Sequence, residues 1–207
     1  MGGLQRPESH IRWLVAATLW LVLIAEAGAG NQREEVLADA VRVALARSIT
    51  DPRPPQLRFA GETERLEWQR WFGAMSRRLH SRMPDAMVRG EFLQTVWYES
   101  RRAGLDPALV MGLIQVESGF RKYAISSVGA RGYMQVMPFW TRVIGDGKPA
   151  KLFQPQANLR YGCSILRMYI DMERGDLFLA LGRYNGSRGR SEYPNAVRAA
   201  WKRWEHT

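Results

Sequence analysis

Apolar residues recur along this chain at intervals of three and four, the spacing that lines one face of an α-helix. The pattern first shows over residues 33–48, where Val36, Leu37, Ala40, Val41, Ala44 and Leu45 form a stripe and Glu34, Glu35, Asp39, Arg42 and Arg47 take other positions. Thr50-Asp51-Pro52-Arg53-Pro54-Pro55 breaks it, because proline offers no N–H to a helix, and reads as a stiff connector. A second helix is predicted over residues 62–80 on Trp68, Phe72, Met75 and Leu79; that spacing assigns the aromatics to a core rather than to a sugar platform. A third follows Pro84 over residues 85–103, with Phe92, Val96 and Trp97 as its apolar set. Asp106-Pro107 starts a fourth, since Asp caps free amides and Pro at the first helical position gives up only an unpaired N–H. Pro138 opens a fifth through Phe139, Trp140 and Val143, stopped by Gly145-Asp146-Gly147. Leu152-Phe153-Gln154-Pro155 leads into a long helix to about residue 173, with Leu159, Cys163, Leu166 and Ile170 facing inward. A short helix over residues 177–181 and a last one opened by Pro194 through Val197, Trp201 and Trp204 complete the reading. No sustained period-2 alternation occurs between Arg33 and Thr207, so the fold class is all-α.

The first thirty residues read differently. Arg6 and Arg12 precede an apolar run over 13–25, and Ala25, Ala27 and Ala29 then supply small residues at A-x-A positions. This is the signature of a secretory signal peptide, with cleavage after Ala27 or Ala29. The run is short for a membrane span, which needs about 20 residues. No cysteine follows it, which excludes a lipoprotein anchor; an uncleaved signal anchor is the other reading, and the only one that puts the chain on a membrane. The division expected is a signal over 1–29, a helical extension and connector over 30–60, and a main domain over 61–207.

A net charge of +10, from 30 Lys and Arg against 20 acids, points to an anionic partner. Nucleic acid is a poor fit: the chain has no zinc-ligand spacing, RNA-recognition signature or concentrated basic helix, and the export signal argues against it. Cys163 has no partner for an internal disulfide and sits in an apolar run, as a small buried hydrophobe does. His10, His80 and His206 are too scattered for a metal site or a Ser-His-Asp triad, and no cofactor motif is present.

The chemistry concentrates at Glu117. In the fourth helix Leu109, Leu113 and Glu117 recur at i, i+4, i+8, so the acid falls on the apolar face. Ser118-Gly119 then ends the helix, leaving the carboxyl near a C-terminus, where the helix dipole disfavours negative charge. Burial and dipole together favour a protonated acid, which general-acid cleavage of a glycosidic bond requires. Glu99 is the main rival, but no glycine-rich or polar block follows it.

Glu117-Ser118, then Gly129-Ala130-Arg131-Gly132-Tyr133-Met134-Gln135, then Tyr184-Asn185 stand in an order that resembles the SLT-domain lytic transglycosylases of the goose-type lysozyme-like superfamily. The resemblance covers residues 103–204 and departs at Tyr133, Gln154, Arg183 and Ser187-Arg188-Gly189, none of which removes a catalytic group. It implies a lysozyme-like catalytic domain that cleaves peptidoglycan glycan strands, with Glu117 as acid and then base and a 1,6-anhydromuramic end as product. It further implies that Tyr184 hydrogen-bonds near Glu117, and that Ser118, Ser126, Gln135, Met137 and Asn185 contact the sugar chain. Asp146 sits in a glycine turn and Asp171 on a polar helix face, so neither offers a convincing second acid. Two other readings of the same residues are a goose-lysozyme-like hydrolase using water, and a wall-binding module that helps locate a cell-envelope secretion apparatus.

Overall fold

The computed structural model describes Gln32, residues 39–49 and residues 57–206. The signal region 1–30 and the proline-rich connector lie outside the described residues. The helices are α1 (Asp39–Ile49), α2 (Glu62–Leu79), α3 (Ala86–Arg102), α4 (Pro107–Ser118), α5 (Phe139–Ile144), α6 (Pro155–Met172), α7 (Leu177–Asn185) and α8 (Glu192–Trp204). Among the described residues there is no strand, only isolated bridges pairing Arg131 with Ile125 and with Val136. The chain is all-α, as its periodicity predicts.

Helix α4 is the buried centre. Asp106 caps it by accepting from Ala108 N–H at 2.8 Å, and Leu109, Val110, Met111, Leu113 and Ile114 are all buried. α8 packs along it so closely that a Cβ on Gly112 would stand 2.6 Å from the Trp201 backbone nitrogen. Indole N–H groups lock the pair at both ends: Trp201 donates to Asp106 at 2.8 Å and Trp204 to Gln115 at 2.7 Å. The stripe predicted for α2 packs inward, with Met75 and Leu79 fully buried and Trp68 and Phe72 partly so. α1 lies against α5 and α6, and its Leu45 joins the same core.

α3 and α6 are joined by charge. Glu99, fully buried, accepts from Arg102 Nε at 2.6 Å and from Arg160 Nε at 2.9 Å. Removing one partner of such a pair leaves an uncompensated buried charge, at a cost of about 3–5 kcal/mol. The rival acid is thus a structural tie between two helices.

Three local features depart from the sequence reading. α7 continues through Asn185 rather than ending near Leu181, because Asp176 caps its start by accepting from Leu179 N–H and Gly186, at φ 74°, closes its end. α8 begins at Glu192, two residues before Pro194. Pro149–Phe153 forms a 3-10 turn that the apolar pattern does not signal.

Candidate active site

Glu117 stands in the last turn of α4 and is 4% exposed. Gly119, at φ 58°, turns the chain out of the helix, and Phe120 continues in the left-handed region at φ 68°. That strained residue is anchored by its ring, which packs edge-on against Phe92 at 6.1 Å and against Trp204 at 5.2 Å. The Tyr193 hydroxyl, from the first turn of α8, donates to Glu117 Oε1 at 2.5 Å.

The resemblance gave that neighbouring role to Tyr184. In the structure the Tyr184 hydroxyl donates to the Met134 carbonyl at 2.8 Å, and the hydroxyl hydrogen-bonded to the acid is Tyr193's. Tyr184 is still close: burial holds its phenol well above the usual range, and the negative charge of Glu117 adds to the effect. The Tyr193 phenol is likewise pushed up, by burial first and then by the charge of Glu117. Both hydroxyls therefore stay protonated at any working pH, as fixed donors. Tyr193 left a weak sequence signal, a lone aromatic in a polar stretch, Ser191-Glu192-Tyr193-Pro194, that periodicity does not distinguish from core.

The glycine-containing block forms a compact double turn. Ser126 N–H donates to the Ala130 carbonyl at 3.0 Å, while its hydroxyl accepts from Ala130 N–H at 3.1 Å. Arg131 and Val136 exchange backbone bonds of 3.0 Å. Gly132, at φ 74°, has no room for a side chain: a Cβ would lie 2.4 Å from both Asn158 Nδ2 and the Leu152 carbonyl. Asn158, fully buried at the start of α6, clamps the turn with three bonds of 2.8 Å, accepting from Met134 N–H and donating to the carbonyls of Arg131 and Leu152.

The expected sugar contacts divide accordingly. Gln135 holds a left-handed backbone at φ 48°, braced by its own amide, which donates to the carbonyls of Ala124 at 3.1 Å and Gly132 at 2.9 Å. The Ser118 hydroxyl donates back into its helix, to the Ile114 carbonyl at 3.2 Å. Ser126 is half-buried within the turn and Met137 half-buried after it. Asn185 is buried, with Nδ2 donating to Ser187 Oγ at 3.1 Å and Oδ1 accepting no hydrogen bond. Gln135 and Ser118 therefore shape the site's backbone, and Asn185 keeps an open acceptor.

Other acids are committed elsewhere. Asp146, exposed in its turn, pairs with Lys151, and Asp171 pairs with Arg167. Cys163 is buried against Met134, and burial raises its thiol far above the ordinary range, as an inert core residue. A cavity of about 400 Å³ beside α1 and one of about 770 Å³ at the start of α4 are both lined by residues other than Glu117.

The model of the transglycosylase SLT domain matches residues 95–206, more than half of the 207. The chain is 40% identical over 84 residues to the membrane-bound lytic murein transglycosylase C of Mannheimia succiniciproducens, covering 37% of this chain and 24% of that protein. It is 32% identical over 103 residues to the transglycosylase of Enterobacteria phage PRD1, covering 50% and 37% respectively. The chain thus spans a quarter to somewhat over a third of these relatives' lengths. Among solved structures it is similar to the lytic transglycosylase Slt of Pseudomonas aeruginosa in an inactive mutant form, at 20% identity and a TM-score of 0.43, over 84% of this chain and 34% of that one. The matched segment carries α4, the clamped turn, Tyr184 and Tyr193 alike, and on that match the chain belongs to the transglycosylase SLT domain family.

Proposed function

We propose that this chain is a peptidoglycan lytic transglycosylase that cleaves the bond between N-acetylmuramic acid and N-acetylglucosamine, with Glu117 as general acid and then general base. The observation that carries the reading is a single acid, 4% exposed at a helix C-terminus, with a tyrosine hydroxyl on one of its two oxygens. Burial and the carbonyl end of α4 oppose a charge on Glu117, while the Tyr193 donor favours one. An acid that must give up a proton and later take one back needs both influences. Tyr193 donates to Oε1.

Glu117 protonates the glycosidic oxygen as the C1–O bond breaks, and the neighbouring N-acetyl carbonyl of the muramic residue supports C1 in place of a second carboxylate. The C6 hydroxyl then attacks C1, the acetamide oxygen leaves, and Glu117 removes the hydroxyl proton. Atoms balance without water, and the product ends in a 1,6-anhydro ring. Glu99, Asp146 and Asp171 are each held in an ion pair, which supports this route over one with water activated by any of these acids.

The export signal and the net charge of +10 suit a protein working on an anionic cell wall outside the cytoplasmic membrane. Among the described residues no helix is long and apolar enough to cross a membrane. The test is digestion of purified sacculi by the chain from Gly30 onward, with Glu117→Gln alongside, and mass spectrometry of soluble fragments. Fragments one water lighter than lysozyme products, absent from the variant, support the reading; reducing-end fragments sink it in favour of hydrolysis.

A further inference from the structure

One carboxylate ties together α6, α7 and the loop that leads to Tyr193. Glu173, in the turn that ends α6, has a side chain only 7% exposed. Its Oε1 accepts from Arg183 Nε of α7, and Arg188 grips it with two bonds, Nε to Oε1 at 2.7 Å and Nη2 to Oε2 at 3.0 Å. A two-pronged guanidinium–carboxylate pair on a buried carboxylate is stronger and better oriented than an ordinary surface ion pair. Arg188 belongs to the loop that leaves α7 after Asn185 and enters α8 before Tyr193. That loop contains a type II turn: the Ser187 carbonyl accepts from Arg190 N–H at 2.9 Å, Gly189 holds φ 85°, and Arg188 keeps a negative φ. The loop is held at its entry, where Ser187 N–H donates to the Gly182 carbonyl at 2.7 Å and a Cβ on Gly182 would stand 2.9 Å from the Arg188 α-carbon. At its exit α8 starts at Ser191 without a side-chain cap.

We propose that Arg188, anchored by Glu173, is a positioning residue for Tyr193, fixing the loop so that the Tyr193 hydroxyl meets Glu117. The proposal rests on the function proposed above, in which that hydroxyl bears on the acid's proton. Only residues 189–192 separate Arg188 from Tyr193. The first turn of a helix has amides without intrahelical partners, and without a side-chain cap it frays readily. Tyr193 stands in that turn, whereas the indole locks of α8 on α4 lie farther along, at Trp201 and Trp204. The entry to α8 is therefore the part of the helix that needs an outside anchor. The bond of 2.5 Å to Glu117 is the contact that loosening would weaken. The same turn serves Asn185, whose Nδ2 donates to Ser187 Oγ at 3.1 Å. Ser187-Arg188-Gly189 is also a stretch in which the chain departs from the family pattern, which makes the anchor a feature of this chain's own sequence.

The experiment compares the chain from Gly30 onward with its Arg188→Ala and Arg188→Pro variants, each with Tyr193 intact and with Tyr193→Phe, acting on purified glycan strands. The Arg188 side chain is half exposed, so neither substitution opens the core. Proline suits the second position of a type II turn, so Arg188→Pro stiffens the turn while removing the ion pair, and Arg188→Ala removes the pair alone. Arg188→Ala is expected to lower kcat roughly fivefold with KM unchanged, part of the loss expected from removing the hydroxyl altogether. It should cost nothing further where Tyr193→Phe is already present, and Arg188→Pro should restore most of the rate. An unchanged kcat, a rise in KM instead, the same loss with and without the Tyr193 hydroxyl, or a proline variant no better than alanine would each overturn the proposal. A second readout needs no turnover. In chains with 13C-labelled glutamate, the Glu117 carboxyl signal should titrate at higher pH in Arg188→Ala and in Tyr193→Phe than in the unaltered chain and in Arg188→Pro, since the first two weaken a donor that favours the carboxylate. Equal midpoints in all four would also overturn it. If the midpoints differ as stated while no chain releases anhydro fragments, the anchor stands and the proposed reaction falls.

Discussion

Replacing Asn158 by leucine tests how the site's turn is held. The side chain keeps the branching and the number of heavy atoms but offers none of the three bonds of 2.8 Å, so Met134 N–H and the carbonyls of Arg131 and Leu152 lose their buried partner together. A buried polar group without a partner costs about 1–3 kcal/mol, and groups in one network do not add fully, so the expected loss is roughly 3–5 kcal/mol. Against a typical total of about 5–15 kcal/mol this is severe, and at about 2–4 °C per kcal/mol for a chain of this size it lowers the melting temperature by roughly 6–20 °C. Urea unfolding followed by tryptophan fluorescence and far-ultraviolet circular dichroism measures it. Asn158→Asp separates the three contacts: it keeps the acceptor for Met134 N–H but aims a carboxylate at two carbonyls. The folded state then raises that carboxyl's pKa, so the variant's deficit is largest at neutral pH and shrinks as pH falls and the group protonates. A loss below about 1 kcal/mol for Asn158→Leu, or a deficit in Asn158→Asp that ignores pH, would refute the reasoning that these bonds hold the turn.

Tyr193→Phe removes the donor on Glu117 Oε1 and keeps the packing; a hydrogen bond to an ionisable group is worth about 1.5–3 kcal/mol, so release of anhydro fragments from sacculi should fall roughly 10- to 100-fold. Gly112→Ala drives a methyl into the Trp201 backbone at 2.6 Å, and overpacking of this kind costs about 1–3 kcal/mol, read as a drop in the denaturation midpoint. Glu173 is held down to about 2 by hydrogen bonds from Arg188 and then Arg183. Because the folded value lies below the unfolded one, its contribution is present above about pH 4.3 and is lost as pH falls towards 2. The stability gap between the wild type and Glu173→Gln should therefore close across that interval in acid-denaturation curves.

The helices were legible because each follows from contacts within a few residues. Asp85 and Asp106 cap α3 and α4 by accepting from the amides that follow them, and the four-residue recurrence of Leu109, Leu113 and Glu117 put the acid on a buried face. Even the errors were local in origin. Gly182 looked like the end of α7, yet it packs against the Arg188 backbone, where glycine is needed for room rather than for a turn.

Long-range pairing was not legible. Tyr193 and Glu117 are 76 positions apart, Gln32 and Trp140 are 108 apart, and Asn158 and Met134 are 24 apart. Periodicity tells which way a side chain faces, not which face of another helix meets it. Tyr184 and Tyr193 are both buried tyrosines near the same acid, and only the approach of α8 along Gly112 decides which hydroxyl reaches the carboxyl. Sequence alone thus determined an all-α chain with one acid in an apolar helix face ahead of a glycine-containing turn, since backbone hydrogen bonding and side-chain periodicity act over single helical turns. The tertiary structure decided what touches that acid and what clamps the turn, because those depend on distances between elements that only the packed core sets.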